Sequence, residues 1–167
     1  MSKSASLPYR PCVGIALFNR NKQVWIGRRI PKWEKDGRDG QHLWQMPQGG
    51  IDEGETPDAA AFRELEEEIG TRNASVIART KGWLTYDLPA EALGTALRGR
   101  YRGQKQKWFA MTFNGNDSEI NIAPEKGEKP EFDEWRWETL EHLPDLVIPF
   151  KREVYVQVVA AFQHLTE

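Results

Sequence analysis

A single cysteine, Cys12, stands in a chain of 167 residues, so no disulfide forms within it and a reducing compartment is expected. Cys12 leads into an apolar run and is read as a core residue, not a nucleophile. Long hydrophobic runs are missing as well. The longest uninterrupted apolar stretches, such as residues 15–18, fall far short of the about 20 residues a membrane helix needs. Residues 1–7 carry no apolar signal core, which leaves the cytoplasm as the default address, without a membrane partner. Charge of one sign is scarce in the total: 23 Lys and Arg against 25 Asp and Glu leave a net charge of −2, which does not announce nucleic-acid binding, and no DNA partner is expected. Internal repeats, linkers and a second domain are absent too. A polar tail over residues 1–8 and one domain over 9–167, monomeric by default, are expected.

What the chain does have is aromatic mass and uneven charge. Seven tryptophans can bury large areas and support a substantial core. Acidic residues concentrate over 52–68 and basic ones over 98–107, a separation that suits a cation-holding site beside a phosphate-receiving surface. A pair of merely solvated faces is the ordinary alternative.

Strand composition marks residues 13–18 and 24–26, with Asn19-Arg20-Asn21-Lys22 as a hairpin turn between them. Further strands are expected at 44–46, 75–85, 107–113 and 134–137. Residues 31–41, rich in charge and glycine, predict a mobile loop, and 89–102 a loop or partly helical excursion. Thr56-Pro57-Asp58 is a helix start, with a capping hydroxyl, a proline at the first helical position and an acid for the dipole; Gly70 is a fitting stop. Val154, Val158, Ala161, Phe162 and Leu165 recur at helical spacing and predict a helix over 151–165. This element order argues for a mixed α/β layered fold.

The helix between Thr56 and Gly70 carries the chemistry. At about 100° per residue, with Glu64 at zero, Glu67 falls near −60° and Glu68 near +40°, while Phe62, Leu65 and Ile69 occupy a different face. Glu66 points elsewhere and is expected to be dispensable. Carboxylates spaced i, i+3 and i+4 repel one another unless a positive charge sits among them, and Arg63 can neutralise only part of that repulsion. Divalent cations are the natural remainder, and an all-oxygen set favours Mg²⁺ or Mn²⁺ over Zn²⁺. An exposed acidic helix face would carry the same four glutamates, so the helix alone does not decide.

Upstream stands a glycine-rich loop, Gly49-Gly50-Ile51-Asp52-Glu53-Gly54-Glu55. From Gly49 through Glu55 and Arg63-Glu64-Leu65 to Glu67-Glu68 and Gly70, the segment resembles the Nudix box at every charged and glycine position. Thr71 departs from it, standing where the family usually has an aliphatic residue. The resemblance implies an α/β/α sandwich with a central mixed β-sheet, and a loop–helix–loop that binds divalent ions for phosphoryl transfer. Carried onto this chain, Glu64, Glu67 and Glu68 hold the metal, two or more Mg²⁺ or Mn²⁺ ions, and a backbone carbonyl near Gln48 or Gly49 adds a ligand. Arg63 pairs with Glu55 and orients the acids.

A narrower likeness covers about residues 9–162. Tyr9-Arg10-Pro11, the run from Trp44 to Gly50, Trp83-Leu84-Thr85-Tyr86, the run from Gly103 to Phe109, that from Glu131 to Trp137, and Phe150-Lys151-Arg152 resemble one branch of the family. That branch comprises bacterial RNA 5′-pyrophosphohydrolases and the asymmetrically cleaving dinucleoside tetraphosphate hydrolases of bacteria and plants. It implies that Glu131 completes the metal site, and that Arg10, Tyr86 and Lys107 grip the phosphate chain. Arg29, Phe150 and Lys151 then form the pocket for the first base. Either Glu67 or Glu131 is the general base. Residues 30–43 form a longer, more charged connection than is typical of the RNA-processing bacterial members, and Met46 stands where they often carry phenylalanine.

The implied substrate is a nucleoside 5′-polyphosphate: the 5′ end of RNA, which would lose pyrophosphate, or diadenosine tetraphosphate, cut to ATP and AMP. Arg98, Arg100, Arg102, Lys105 and Lys107 lean toward the longer anion. A nucleotide-sensing Nudix domain without catalysis is the other class of reading, and the intact glutamate set argues against it. An enzyme for ADP-ribose or nucleoside triphosphates ranks behind, because the segment from Gly103 to Phe109 belongs to the first branch.

Overall fold

The computed structural model describes residues 7–31, 43–123 and 128–167. Most of the tail expected over 1–8, and residues 32–41 of the expected loop, lie outside the described residues.

The centre of the molecule is a parallel pair. β1 (Tyr9–Phe18) and β7 (Gly103–Phe113) run side by side in register from Tyr9 opposite Gly103 to Phe18 opposite Thr112. Successive side chains of a strand face opposite sides. Val13, Ile15 and Leu17 therefore enter one core with Phe109 and Met111, while Ala16 and Phe18 enter the other with Trp108 and Ala110. A strand buried on both faces needs a layer on each side.

The remaining strands add antiparallel. β2 (Val24–Arg29) follows β1 through the turn at 19–22, where the Asn19 side-chain oxygen accepts from the backbone N–H of Asn21 at 2.9 Å and of Gln23 at 3.0 Å. β3 (Trp44–Gln45) and β8 (Phe132–Glu138) flank β2, and β4 (Gln48–Gly50) pairs with β1 over Cys12 to Gly14. β5 (Ala74–Arg79) and β6 (Leu84–Asp87) both lie along β7.

One helix covers each face. In α1 (Pro57–Ile69), the Thr56 hydroxyl accepts from the Ala59 N–H at 3.2 Å, and Gly70 ends the helix at φ 82° with its N–H on the Glu66 carbonyl. Ala60, Ala61, Leu65 and Ile69 join the Val13 side. Full burial of Leu65 and Ile69 contributes about 1.5–3 kcal/mol each. α2 (Arg152–Phe162) sends Val154, Tyr155, Val158 and Phe162 into the core on the other face, against Trp108. The result is the expected α/β/α sandwich around a mixed sheet.

Four details differ from the sequence reading. Residues 75–85 are two strands, because β5 pairs with the Phe109–Phe113 end of β7 and β6 with its Gly103–Gln106 end. Thr80 marks the break: its N–H donates to the Trp108 carbonyl and its hydroxyl accepts from the Trp108 N–H. The glycine loop starts as strand β4, since its backbone finds partners on β1. β1 and β7 both begin earlier than their apolar runs, each supplying the other's hydrogen bonds. The C-terminal helix is shorter than 151–165, bracketed by 3-10 turns at Pro149–Lys151 and Gln163–Thr166.

Close packing between the central strands leaves Gly14 no room for a side chain: a Cβ there would lie 2.5 Å from the Trp108 ring, which is fully buried. Gly14→Ala is expected to destabilise the fold by about 1–3 kcal/mol, the usual cost of overpacking. Urea unfolding would register this as a lower midpoint at unchanged slope; an unaltered midpoint would refute the packing argument.

Candidate active site

The site begins where β4 passes under α1. A Cβ on Gly49 would come within 2.0 Å of the Glu64 side-chain carbon, so only glycine lets the strand lie this close to the carboxylate. Arg63 joins the two elements. Its Nη2 donates to the Gly50 carbonyl at 2.8 Å, and its guanidinium forks onto Glu55 at 2.7 and 2.8 Å. The other nitrogen, Nη1, reaches Glu64 at 3.0 Å and Glu67 at 3.2 Å. The Arg63 guanidinium holds the Glu55 carboxyl down at about 2, below the ordinary 4.5. The pair's contribution to stability is therefore complete above about pH 4.5 and is lost as the pH falls toward 2.

Glu64 behaves in the opposite way. Burial pushes its carboxyl up to about 7, although Arg63 and, more distantly, Arg10 pull it down. Glu68, also buried, accepts from the Gln48 N–H at 3.2 Å. Among the described residues, no three acidic, histidine or cysteine side chains stand grouped as a ligand set. Glu64 and Glu67 are turned toward Arg63, and Glu68 toward the β4 backbone. The donors nevertheless suit a hard divalent cation: Glu64, Glu68 and Glu131 line one cavity and offer it carboxylate oxygens.

That cavity, about 350 Å³, brings together most of the residues singled out in the sequence. Arg10, Arg29, Tyr86, Phe150 and Lys151 line it with Glu64, Glu68 and Glu131. Arg29 and Glu131 arrive together at a bulge, where β2 and β8 slip register between Arg28 and Arg29 and the Ile30 N–H donates to the Glu131 carbonyl. Lys151 is buried, donates to the Gln45 side chain at 3.1 Å and lies 5.7 Å from the Tyr86 ring centroid. Phe150, half-buried, packs against the same ring at 5.5 Å. Burial raises the Tyr86 hydroxyl well above its ordinary range, so it remains protonated and able to donate. Burial likewise lifts the Cys12 thiol to about 12, which removes it as a nucleophile.

Arg63, Glu67 and Lys107 are not among the lining residues. For Lys107 the reason is strand parity. Gln104 sits opposite Arg10 and shares its face, so Lys105 and Lys107 project from the other side, where both ammonium groups lie against the exposed Trp83 ring, at 4.8 and 4.9 Å. The structure therefore does not bring Lys107 into the cavity with Arg10 and Tyr86. Glu67 stands on the exposed flank of α1, its side chain 56% accessible. Arg102 is also committed elsewhere, bonded to Asp87 at 2.8 Å and stacked over Tyr9, whose hydroxyl donates to the same carboxylate.

Three glutamine side chains have no role in the sequence reading. Gln48, Gln104 and Gln106 form an amide network, with Gln106 bonded to Gln104 at 2.8 Å and receiving the Trp108 indole N–H at 2.9 Å. The alternation of glutamine and lysine over 104–107 was the available signal: a period of two assigns the amides to one face and the ammonium groups to the other.

Comparison with known proteins agrees with this geometry. Residues 8–158 match the NUDIX domain model. An RNA pyrophosphohydrolase of Agrobacterium fabrum is 52% identical over 165 residues, covering 98% of this chain and 97% of the relative. One from Brucella anthropi is 55% identical over 163 residues, covering 96% and 92%. Among solved structures, a C. elegans Ap4A hydrolase binary complex superposes with a TM-score of 0.63 at 17% identity, over 93% of this chain and 98% of that one, a likeness of fold alone. With the box geometry, the sandwich and a domain match over nearly the whole length in agreement, the chain belongs to the NUDIX family.

Proposed function

We propose that the protein is an RNA pyrophosphohydrolase, which adds water across a phosphoanhydride of a 5′-triphosphorylated RNA and releases pyrophosphate and a 5′-monophosphate end. The observation that carries this reading is the cavity lined together by the carboxylates of Glu64, Glu68 and Glu131 and by the cations and rings of Arg10, Arg29, Lys151, Tyr86 and Phe150. RNA as the substrate is supported by relatives of 52–55% identity that carry that activity in their names. Cytoplasmic action fits the one cysteine, free and buried.

Nudix hydrolases generally need divalent metal ions. Here Glu64, Glu67, Glu68 and Glu131 would hold them, as Mg²⁺ or Mn²⁺ and two or more in number. Once bound, such ions neutralise phosphate oxygens and make a water more acidic. The chain's own groups do the rest. Arg10 presents a guanidinium to the phosphates, and the Tyr86 hydroxyl supplies a further donor. Phe150, with Arg29 and Lys151, takes the base of the first nucleotide by stacking and charge. A carboxylate accepts the proton of the attacking water. Glu131 is the favoured acceptor because it lines the cavity, whereas Glu67 is engaged by Arg63 outside it.

A Mg²⁺ assay comparing 5′-triphosphorylated RNA with diadenosine tetraphosphate is expected to show higher catalytic efficiency on RNA. Preference for the dinucleotide would replace RNA decay with nucleotide housekeeping. Glu131→Gln should lower kcat by about a hundredfold or more, a far larger loss than that of metal affinity, the signature of a lost base. The same signature in Glu67→Gln alone would transfer the role to Glu67. Phe150→Ala should raise KM for RNA about fivefold or more, as lost stacking predicts. Its unfolding free energy should fall by less than the about 3 kcal/mol typical of a fully buried phenylalanine; unfolding without a KM effect would make Phe150 a core residue only.

A further inference from the structure

Beside the catalytic cavity, and sharing Arg10 and Leu97 with it, lies a second hollow of about 380 Å³ lined also by Arg98, Arg100 and Tyr101. Three of its five lining residues are arginines, and no acidic residue is among them. Arg98 and Arg100 are exposed, and neither they nor Arg10 forms an ion pair with a carboxylate among the described residues. Arg102, two residues further on, shows the contrast: Asp87 holds it.

The backbone that carries these arginines is unusual. Between the left-handed glycines Gly94 (φ 88°) and Gly99 (φ 69°), Leu97 and Arg98 also take left-handed conformations, at φ 55° and 59°. Non-glycine residues adopt that region only when their surroundings require it, and such residues cluster at ligand-binding positions. Here the strained pair turns Leu97 toward the main cavity and Arg98 toward the hollow. Solvated arginines on a plain loop would need neither the strain nor the shared wall.

We infer that Arg98 and Arg100, together with Arg10, form a phosphate subsite continuous with the catalytic cavity. Its occupant is a phosphate group of the same substrate, from one of two sources: the terminal pyrophosphoryl end, or the phosphodiester that joins the first nucleotide to the rest of the RNA. The inference rests on the reading of the protein as a triphosphate-end hydrolase. Two guanidinium groups in a hollow next to the reacting chain hold an anion by charge-assisted, bidentate bonds.

The test compares wild type with Arg98→Ala/Arg100→Ala and with Arg98→Lys/Arg100→Lys. KM and kcat are measured on a 5′-triphosphorylated mononucleotide, dinucleotide and hexanucleotide, and pyrophosphate is titrated as product inhibitor. A rise in KM of about tenfold in the alanine variant, larger than the change in kcat and partly restored by lysine, is expected from two lost charge-assisted contacts. If that rise grows from mononucleotide to hexanucleotide, the occupant is the phosphodiester. A uniform rise, with pyrophosphate inhibition weakened in parallel, identifies the pyrophosphoryl end. Unchanged KM and unchanged pyrophosphate inhibition, in a wild type that cuts RNA, overturn the subsite and leave the proposed function intact. A wild type inactive on every triphosphorylated substrate overturns the proposed function, and the subsite with it.

Discussion

The Arg63 guanidinium is the interaction on which the site depends. It binds the Gly50 carbonyl on β4, Glu55 in the loop, and Glu64 and Glu67 on α1, so one side chain joins strand, loop and helix. Without it, Glu55, Glu64 and Glu67 would converge with nothing to offset their repulsion. With it, the loop is held closed, and Glu64 can lie against Gly49 at a distance that only a residue lacking Cβ permits. The same compression desolvates Glu64 and raises its carboxyl to about 7. The fold thus keeps Glu64 in a place where burial disfavours its charge even beside Arg63.

Arginines near the starts of β1 and β7 serve in two ways. Arg102 is locked to Asp87 and Tyr9, and it ties the start of β1 to the β6–β7 pair. Arg10, Arg98 and Arg100 have no such lock and gather around two adjoining hollows. The distinction follows from position. Arg102 lies next to a strand that offers a carboxylate, while Arg98 sits on a left-handed turn that carries it away from the sheet. Composition alone counts Arg98, Arg100 and Arg102 as one basic segment; packing divides them into one structural and two exposed members.

The box was legible because its chemistry is local. Helix periodicity groups the carboxylates, Thr56 and Gly70 mark the ends, and the glycines announce a close backbone approach; none of this requires knowledge of distant residues. Residues 75–85 were harder, since their division into two strands depends on which half of β7 each part meets. Lys107 was grouped with Arg10 by likeness of role, and strand parity set it on the other face. The glutamine network escaped notice for a related reason: amides are unremarkable in sequence and become informative only when buried and bonded to one another.

By itself, then, the sequence determined the carboxylate helix, its caps and the glycine loop, because helical periods and capping act over a few residues. Only the tertiary structure decided what shares a cavity with those carboxylates. Arg10, Arg29, Tyr86, Glu131 and Phe150 come from five separate segments, and their meeting depends on strand order, on the parallel register of β1 with β7 and on the bulge at Arg28 and Arg29. A one-residue slip in any of these pairings would turn a side chain from the cavity to the opposite face, and register is set by contacts between distant parts of the chain.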